Sequence, residues 1–318
     1  MIHIEVMPLR ALIVLSLLIM NQAAHGCLWI HGTTVRGTFE KREGRWGAVH
    51  LKTPMNSDVR EAEHLFKRHQ YSPPNASGTA NDEAVQTLLR GDAATAVKML
   101  EKEEAERPGN YYTAANLGTA YELAGDDAKA LEWIRTGIQR NPASHMRAEW
   151  LHVRILEAKL NLKTQADWLK KHTITGVDMS RLEESGYQIS TAQGDLRMDQ
   201  VKGSLYEQLS VRMLLVKPKD FIVAQLLVEL AQMEHVLGFQ EPVVELLDMA
   251  VIYGQPEINV ADLRTKAQEL LRWTWLSKAL HNSPKYLIPI AIFGSLGGIA
   301  LILIVRGYRR LFKTPAAS

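Results

Sequence analysis

"NDEAVQTLLRGDAATAVKMLEKEEAERPG" (81–109) and "AANLGTAYELAGDDAKALEWIRTGIQRNP" (114–142) share one plan: a helical stretch, a Gly-Asp break, a second helical stretch and a closing proline. The plan recurs in register. Gly91 and Gly125 lie 34 residues apart, as do Asp92 and Asp126, Ala96 and Ala130, Leu100 and Ile134, and Pro108 and Pro142. Such a fixed period predicts stacked units that bury a continuous core only together. Antiparallel helices approach closely only where side chains are small. Ala84 and Ala96 serve this in the first unit, and Gly118, Ala130 and Gly137 in the second. Larger residues such as Leu117, Tyr121 and Ile134 fill the space toward the next helix. A left-handed conformation costs Gly125 little, and Pro142 cannot continue a helix.

The run "NLGTAYELAGDDAKALEWI" (116–134) resembles the tetratricopeptide repeat at nearly every signature position, with Ala114 where the family usually has tryptophan. The first unit matches less closely, with Glu103 at a normally small position. A third unit begins at 145–162 and puts His152 where glycine or alanine is expected. Setting Gly238 level with Gly125 places Leu230, Ala231, Leu247 and Ala250 at repeat positions, so 220–254 reads as a fourth, degenerate hairpin closed near Pro256. Helical patterning also covers 202–216 and a final amphipathic stretch, 259–282. The span 163–201 carries no stable period and is expected to be an irregular insertion. Before the repeats, alternating Thr, Val and Phe over 33–52 predict a small β-hairpin turning around Gly44, followed by a helix over 56–70 and a Pro/Gly/Ser-rich linker over 72–81. The expected fold is therefore an all-α helical-hairpin solenoid of the tetratricopeptide type, with a small N-terminal β-hairpin and a C-terminal transmembrane helix.

Both ends carry apolar segments. "ALIVLSLLIM" (11–20) follows Arg10 and precedes small residues, with Ala24 and Gly26 at −3 and −1 of a cut before Cys27. This reads as a secretory signal over 1–26, with Met7 as a second possible start. Cys27 is the only cysteine, which excludes a disulfide framework. "AHGC" resembles a bacterial lipoprotein processing site, but Ala24 and His25 depart from it, and a plain mature N-terminus is the preferred reading. Residues 287–305 carry no charge over 19 positions, and at roughly 1.5 Å per residue they can cross a bilayer. Tyr286 and Tyr308 flank this span, and Arg306, Arg309, Arg310 and Lys313 follow it with no acid. Cations just beyond a span mark its cytoplasmic side. The expectation is a spanning helix over 286–306, a cytoplasmic tail over 307–318 and a body in the periplasm or an equivalent outer space. Gly294 and Gly298 form a GxxxG that can pair two such helices into a homodimer.

The net charge of +2 divides unevenly. The basic tail carries the excess and leaves the body slightly acidic, which argues against nucleic-acid binding. Two Glu-x-x-His pairs, Glu61/His64 and Glu149/His152, have a spacing used in di-metal helical bundles. No further inward glutamates accompany them, and about one such match is expected by chance, so no metal, cofactor or catalytic residue is predicted. Asn75-Ala76-Ser77 is a glycosylation acceptor if the host is eukaryotic.

A groove remains. In the tetratricopeptide family the first helix of each repeat lines a concave surface. The resemblance implies that Tyr112, Ala115, Asn116, Thr119 and Glu122 line it in the second repeat, and Met146, Glu149, Trp150 and Val153 in the third. Some family members hold a peptide carboxylate with an asparagine and several cations. Asn116 fits the asparagine, but Met146 and Trp150 stand where cations are expected, so a helix or an extended peptide is the better expectation. The functional expectation is a membrane-anchored scaffold that binds a protein or peptide in this groove. The alternatives are a structural subunit assembled through the spanning helix, or a metal-binding helical enzyme.

Overall fold

The computed structural model describes residues 29–33, 39–43, 51, 55–56 and 80–282. Of the helix expected over 56–70 only Asn56 is described, and of the linker expected over 72–81 only Ala80 and Asn81, which are helical; Glu61, His64, the signal segment, Cys27 and the span over 286–306 lie outside these residues. Among the described residues no helix is long and apolar enough to cross a membrane.

The N-terminal strands β1 (Trp29–Thr33) and β2 (Phe39–Glu43) pair in a two-stranded sheet. Gly37 falls between the paired segments, and the turn expected around Gly44 lies outside the described residues.

Between residues 80 and 282 the chain is predominantly helical. Helices α1 (Ala80–Leu89) and α2 (Ala93–Glu106) form one packed pair, and α3 (Tyr111–Leu123) and α4 (Asp127–Arg140) form the next. The two Gly-Asp breaks have the same geometry. Gly91 and Gly125 have φ of +87° and +89°, in the left-handed region where a Cβ is costly. Each following aspartate donates its N–H five residues back, Asp92 to Thr87 at 3.1 Å and Asp126 to Tyr121 at 2.9 Å. Each aspartate then caps the next helix, accepting from Thr95 N–H at 3.0 Å and Lys129 N–H at 3.1 Å. One dipeptide thus ends a helix and starts another. Arg140 ties the units together, donating to both Glu104 oxygens at 2.7 and 2.9 Å and to the Asn110 carbonyl at 2.8 Å.

Small residues set the spacing as expected. A Cβ on Gly118 would lie 2.4 Å from Ile134 Cδ1 and 3.1 Å from its backbone nitrogen, and Ile134 is fully buried. Gly203, also helical, has nothing within 4 Å of the same position. The same substitution is therefore expected to act with opposite sign at the two sites. Gly203→Ala gains up to about 1 kcal/mol of helix propensity. Gly118→Ala loses about 1–3 kcal/mol through overpacking, partly offset by that propensity. Urea unfolding of the two variants checks this, and equal effects would contradict the nested packing.

Helix α5 (Glu149–Thr164) follows a 3₁₀ turn, Ser144–Arg147. Beyond it the chain departs from the sequence expectation of an irregular insertion. Strands β3 (Gln188–Thr191) and β4 (Gly194–Arg197) pair antiparallel, with Thr191 opposite Gly194, and α6 already begins at Met198 (Met198–Leu215). Helices α7 (Phe221–Leu237) and α8 (Gln240–Ile252) form the expected hairpin, and α9 (Glu257–Asn282) packs on α8. Gly238 does not repeat the Gly125 geometry, because its φ is −129°. That hairpin turns without a left-handed residue. Its left-handed glycine is Gly254, after α8, where Gln255 donates its N–H to Ala250 at 2.9 Å.

Two main apolar cores result. One joins α1–α4 through residues such as Leu100, Leu117 and Ile134, and reaches α5 at Leu156. The other joins α5 to α6–α9 through Leu151, Ile155, Leu205, Leu227 and Leu247. Helix α5 contributes to both.

Candidate functional site

Helix α6 packs against the first-helix face of the repeats. It touches α1 and α5, and its Arg212 donates to Glu122 of α3 from both terminal nitrogens, at 2.7 and 2.9 Å. Leu214 packs on Val85 and Leu89 of α1. The face expected to receive a partner is thus covered over part of its length by the chain itself.

Glu122 is the centre of this arrangement. Besides Arg212, it faces Lys159 Nζ at 3.0 Å and His152 Nε2 at 2.8 Å. Burial pushes its carboxyl upward, but Arg212 and His152 outweigh burial and hold it well below the usual carboxylate range. Asp127 extends the cluster, with Lys159 and Lys163 each 2.6 Å away. On the other side His152 Nδ1 lies 3.6 Å from Glu149, and His145 Nδ1 lies 2.7 Å from the same carboxylate. Burial would raise Glu149 as well, yet His145 and then His152 hold it well below its ordinary value. The Glu149 charge in turn pushes His145 up to about 9 against the pull of burial, with Glu207 adding to the rise. Burial opposes a rise at His152, but its bonds to Glu122 and Glu149 win and raise it.

The backbone that presents His145 is itself held in place. His145 and Arg147 have φ of +45° and +67°, unusual for side-chain-bearing residues. The β3–β4 tip braces this corner. Gln193 Nε2 donates to the Pro142 carbonyl at 2.7 Å, and Arg147 donates to the Gln193 carbonyl at 3.2 Å. Gln193 Oε1 accepts from Trp150 N–H at 3.0 Å, supplying the first turn of α5 with a cap that Ala148 cannot give. At its other end the insertion is pinned to α7. The fully buried Glu229 accepts from Ile174 N–H at 2.7 Å, Thr175 N–H at 3.0 Å and Thr175 Oγ1 at 2.8 Å.

The residues expected to line the groove divide by exposure. Glu122, Glu149 and Trp150 are buried, Trp150 donating from Nε1 to Ser204 of α6 at 3.1 Å. Ala115 is also buried, and Val153 is half-buried against the repeat core. Tyr112, Asn116 and Thr119 are half-buried. The Tyr112 ring lies 3.8 Å from that of Tyr111, Asn116 donates to Asn81 at 3.1 Å, and Thr119 donates to the Ala115 carbonyl at 3.2 Å. Met146 lies in the 3₁₀ turn before α5, and its side chain is outside the described residues. A crevice of about 40 Å³ remains beside Thr119, Glu122, His145, His152 and Arg212. It is large enough for water. The Glu149/His152 pair does share a face of α5, but it faces Glu122 and His145, and among the described residues no group of His, Cys, Asp or Glu is placed to hold a metal.

This network makes stability depend on pH. The two imidazoles hold their protons more tightly folded than unfolded, so their contribution is complete below the ordinary 6.5 and is lost as pH rises through their raised values, which for His145 is about 9. Glu122 and Glu149 bind protons less tightly folded, so their contribution is complete above the ordinary 4.5 and is lost as pH falls through their depressed values. The His145 side chain is 49% exposed, so solvent screening reduces its share. Going from pH 6 to pH 9 is expected to cost this network about 1–2 kcal/mol. Urea titrations at the two pH values measure it, and a chain whose stability rises across that interval would contradict the assignment.

No family model and no curated protein matches this chain.

Proposed function

We propose that the chain is a tetratricopeptide-type scaffold. In this reading residues 286–306 anchor it in a membrane, its helical body is extracytoplasmic, and it binds a protein or peptide on the face formed by α1, α3 and α5. The role is binding rather than catalysis. The observation that carries the reading is the recurrence, 34 residues apart, of one turn geometry at Gly91-Asp92 and Gly125-Asp126. It supports stacked hairpins whose first helices present a common face. A helix, α6, already sits on that face, which supports a helical ligand class.

Photo-crosslinking tests this. A crosslinking residue at Tyr112 or Thr119, on the inner side, is expected to capture a protein in native membranes. The same residue at Glu101 or Lys102, exposed on α2, is expected to capture none. Capture from α2 alone would contradict the groove reading. A partner that is lost when residues 286–318 are deleted, with inner-side adducts absent, would favour assembly through the span.

A further inference from the structure

Arg212 carries one donor that its ion pair does not use. Both terminal nitrogens donate to Glu122, but the buried Nε finds no acceptor among the described residues. Buried donors in folded proteins are satisfied by the protein or by ordered water. A second orphan lies on the far side of His152. Glu149 Oε2 is buried and has no hydrogen-bond donor among the described residues, and its contact with His152 Nδ1 is long, at 3.6 Å. A water within reach of both atoms closes a gap of that length. The two places share one crevice. Arg212 and His152 line it, and so does His145, which holds the other oxygen of Glu149 at 2.7 Å. Its volume is about 40 Å³. A water needs about 10–15 Å³ of such space, so there is room for about two or three.

The walls select a neutral ligand. Arg212 and His152 face Glu122, His145 faces Glu149, and Glu207 also lines the crevice. An anion would meet two carboxylates here, and a cation would meet a guanidinium and two imidazoles. Gln208 spends its amide nitrogen on the Ala148 carbonyl, which leaves its oxygen as an acceptor. The ligand that fits donates and accepts at once and carries no charge. We propose that the crevice is a binding site for ordered water, in which one molecule accepts from Arg212 Nε and a second accepts from His152 Nδ1 and donates to Glu149 Oε2. The waters complete the polar junction of α3, α5 and α6, whatever the repeat face binds. Filling the crevice is then harmful. An added methyl group improves a dry cavity, but in a hydrated one it displaces a water whose hydrogen bonds it cannot replace.

A high-resolution crystal structure of the full chain, grown with bromide as the only halide, tests the site without a variant. Two density peaks lacking anomalous signal are expected, one about 2.7–3.2 Å from Arg212 Nε and one at that distance from both His152 Nδ1 and Glu149 Oε2. A peak missing at either place would overturn the proposal, as would an anomalous peak, which marks an anion instead. Val211→Ile gives a second measurement, because Val211 lines the crevice and the change adds one methyl group. Its unfolding constant is expected to rise about fivefold, the loss of one buried hydrogen bond, and one of the two peaks is expected to vanish. A constant that stays the same or falls, as filling a dry gap would give, would overturn the proposal. If that variant does not fold, the crystal structure of the unmodified chain decides.

Discussion

Glu122→Gln is expected to lower the unfolding free energy by about 3–5 kcal/mol, the cost of breaking a buried ion pair by removing one side. The reason lies in what remains. Arg212 is only 8% exposed and has both terminal nitrogens on Glu122. Without the carboxylate it keeps its charge with little solvent to compensate it. His152 loses one of the two carboxylates that keep it protonated, and it shifts toward the neutral form. Lys159 retains Asp127 and suffers less. A surface comparison separates this effect from charge loss in general. Glu157 pairs with Arg135 at 2.9 Å, and the Arg135 side chain is 54% exposed, so Glu157→Gln is expected to cost under about 1 kcal/mol. Chemical unfolding of both variants checks the contrast. Equal losses would mean that Glu122 is not the buried centre described.

Glu229→Leu is expected to rank second, at about 2–5 kcal/mol. Its carboxylate accepts two backbone N–H groups and one hydroxyl from the insertion, with Gln225 Nε2 adding a fourth donor at 3.2 Å. Burial raises its pKa, while these donors oppose the rise. Leucine restores the apolar volume but leaves the Ile174 and Thr175 N–H groups buried without acceptors. The loss is also expected to be local. Hydrogen exchange over 173–177 rises first, because the Ile174 and Thr175 amides lose their acceptor outright, and exchange over 114–137 stays unchanged. Uniform loosening of the whole chain would contradict the role of Glu229 as a pin for the insertion.

The legible part of the sequence and the missed part differ in one physical respect. Helix pairing along 81–142 leaves a periodic record, because every unit needs the same small residue at the closest approach and the same left-handed glycine at the turn. Gly118 against Ile134, and Gly91 and Gly125 at their breaks, sit as that record implies. The place of α6 leaves no such record. Glu122 and Arg212 are 90 residues apart, and an ion pair fixes neither spacing nor flanking residues. Helical patterning showed that 202–216 forms a helix and gave no sign of the face it covers. The β3–β4 hairpin was missed because each strand has only four residues, and a single residue faces inward on each, Ile189 and Leu196. The Gly238 equivalence was too strict: a glycine at the matching position satisfies the alignment without adopting the left-handed turn. Burial by a distant helix cannot be read from the position of Glu122 alone.

The seating of α6 on the repeats is tested most directly by a double-mutant cycle between Glu122 and Arg212. Unfolding free energies are measured for Glu122→Gln, Arg212→Met and the pair together. The charged contact predicts that the double variant regains stability relative to the sum of the single losses, with a coupling of about 2 kcal/mol or more. A coupling near zero in folded variants would mean that the two side chains do not meet, and that α6 does not lie on the face of α3.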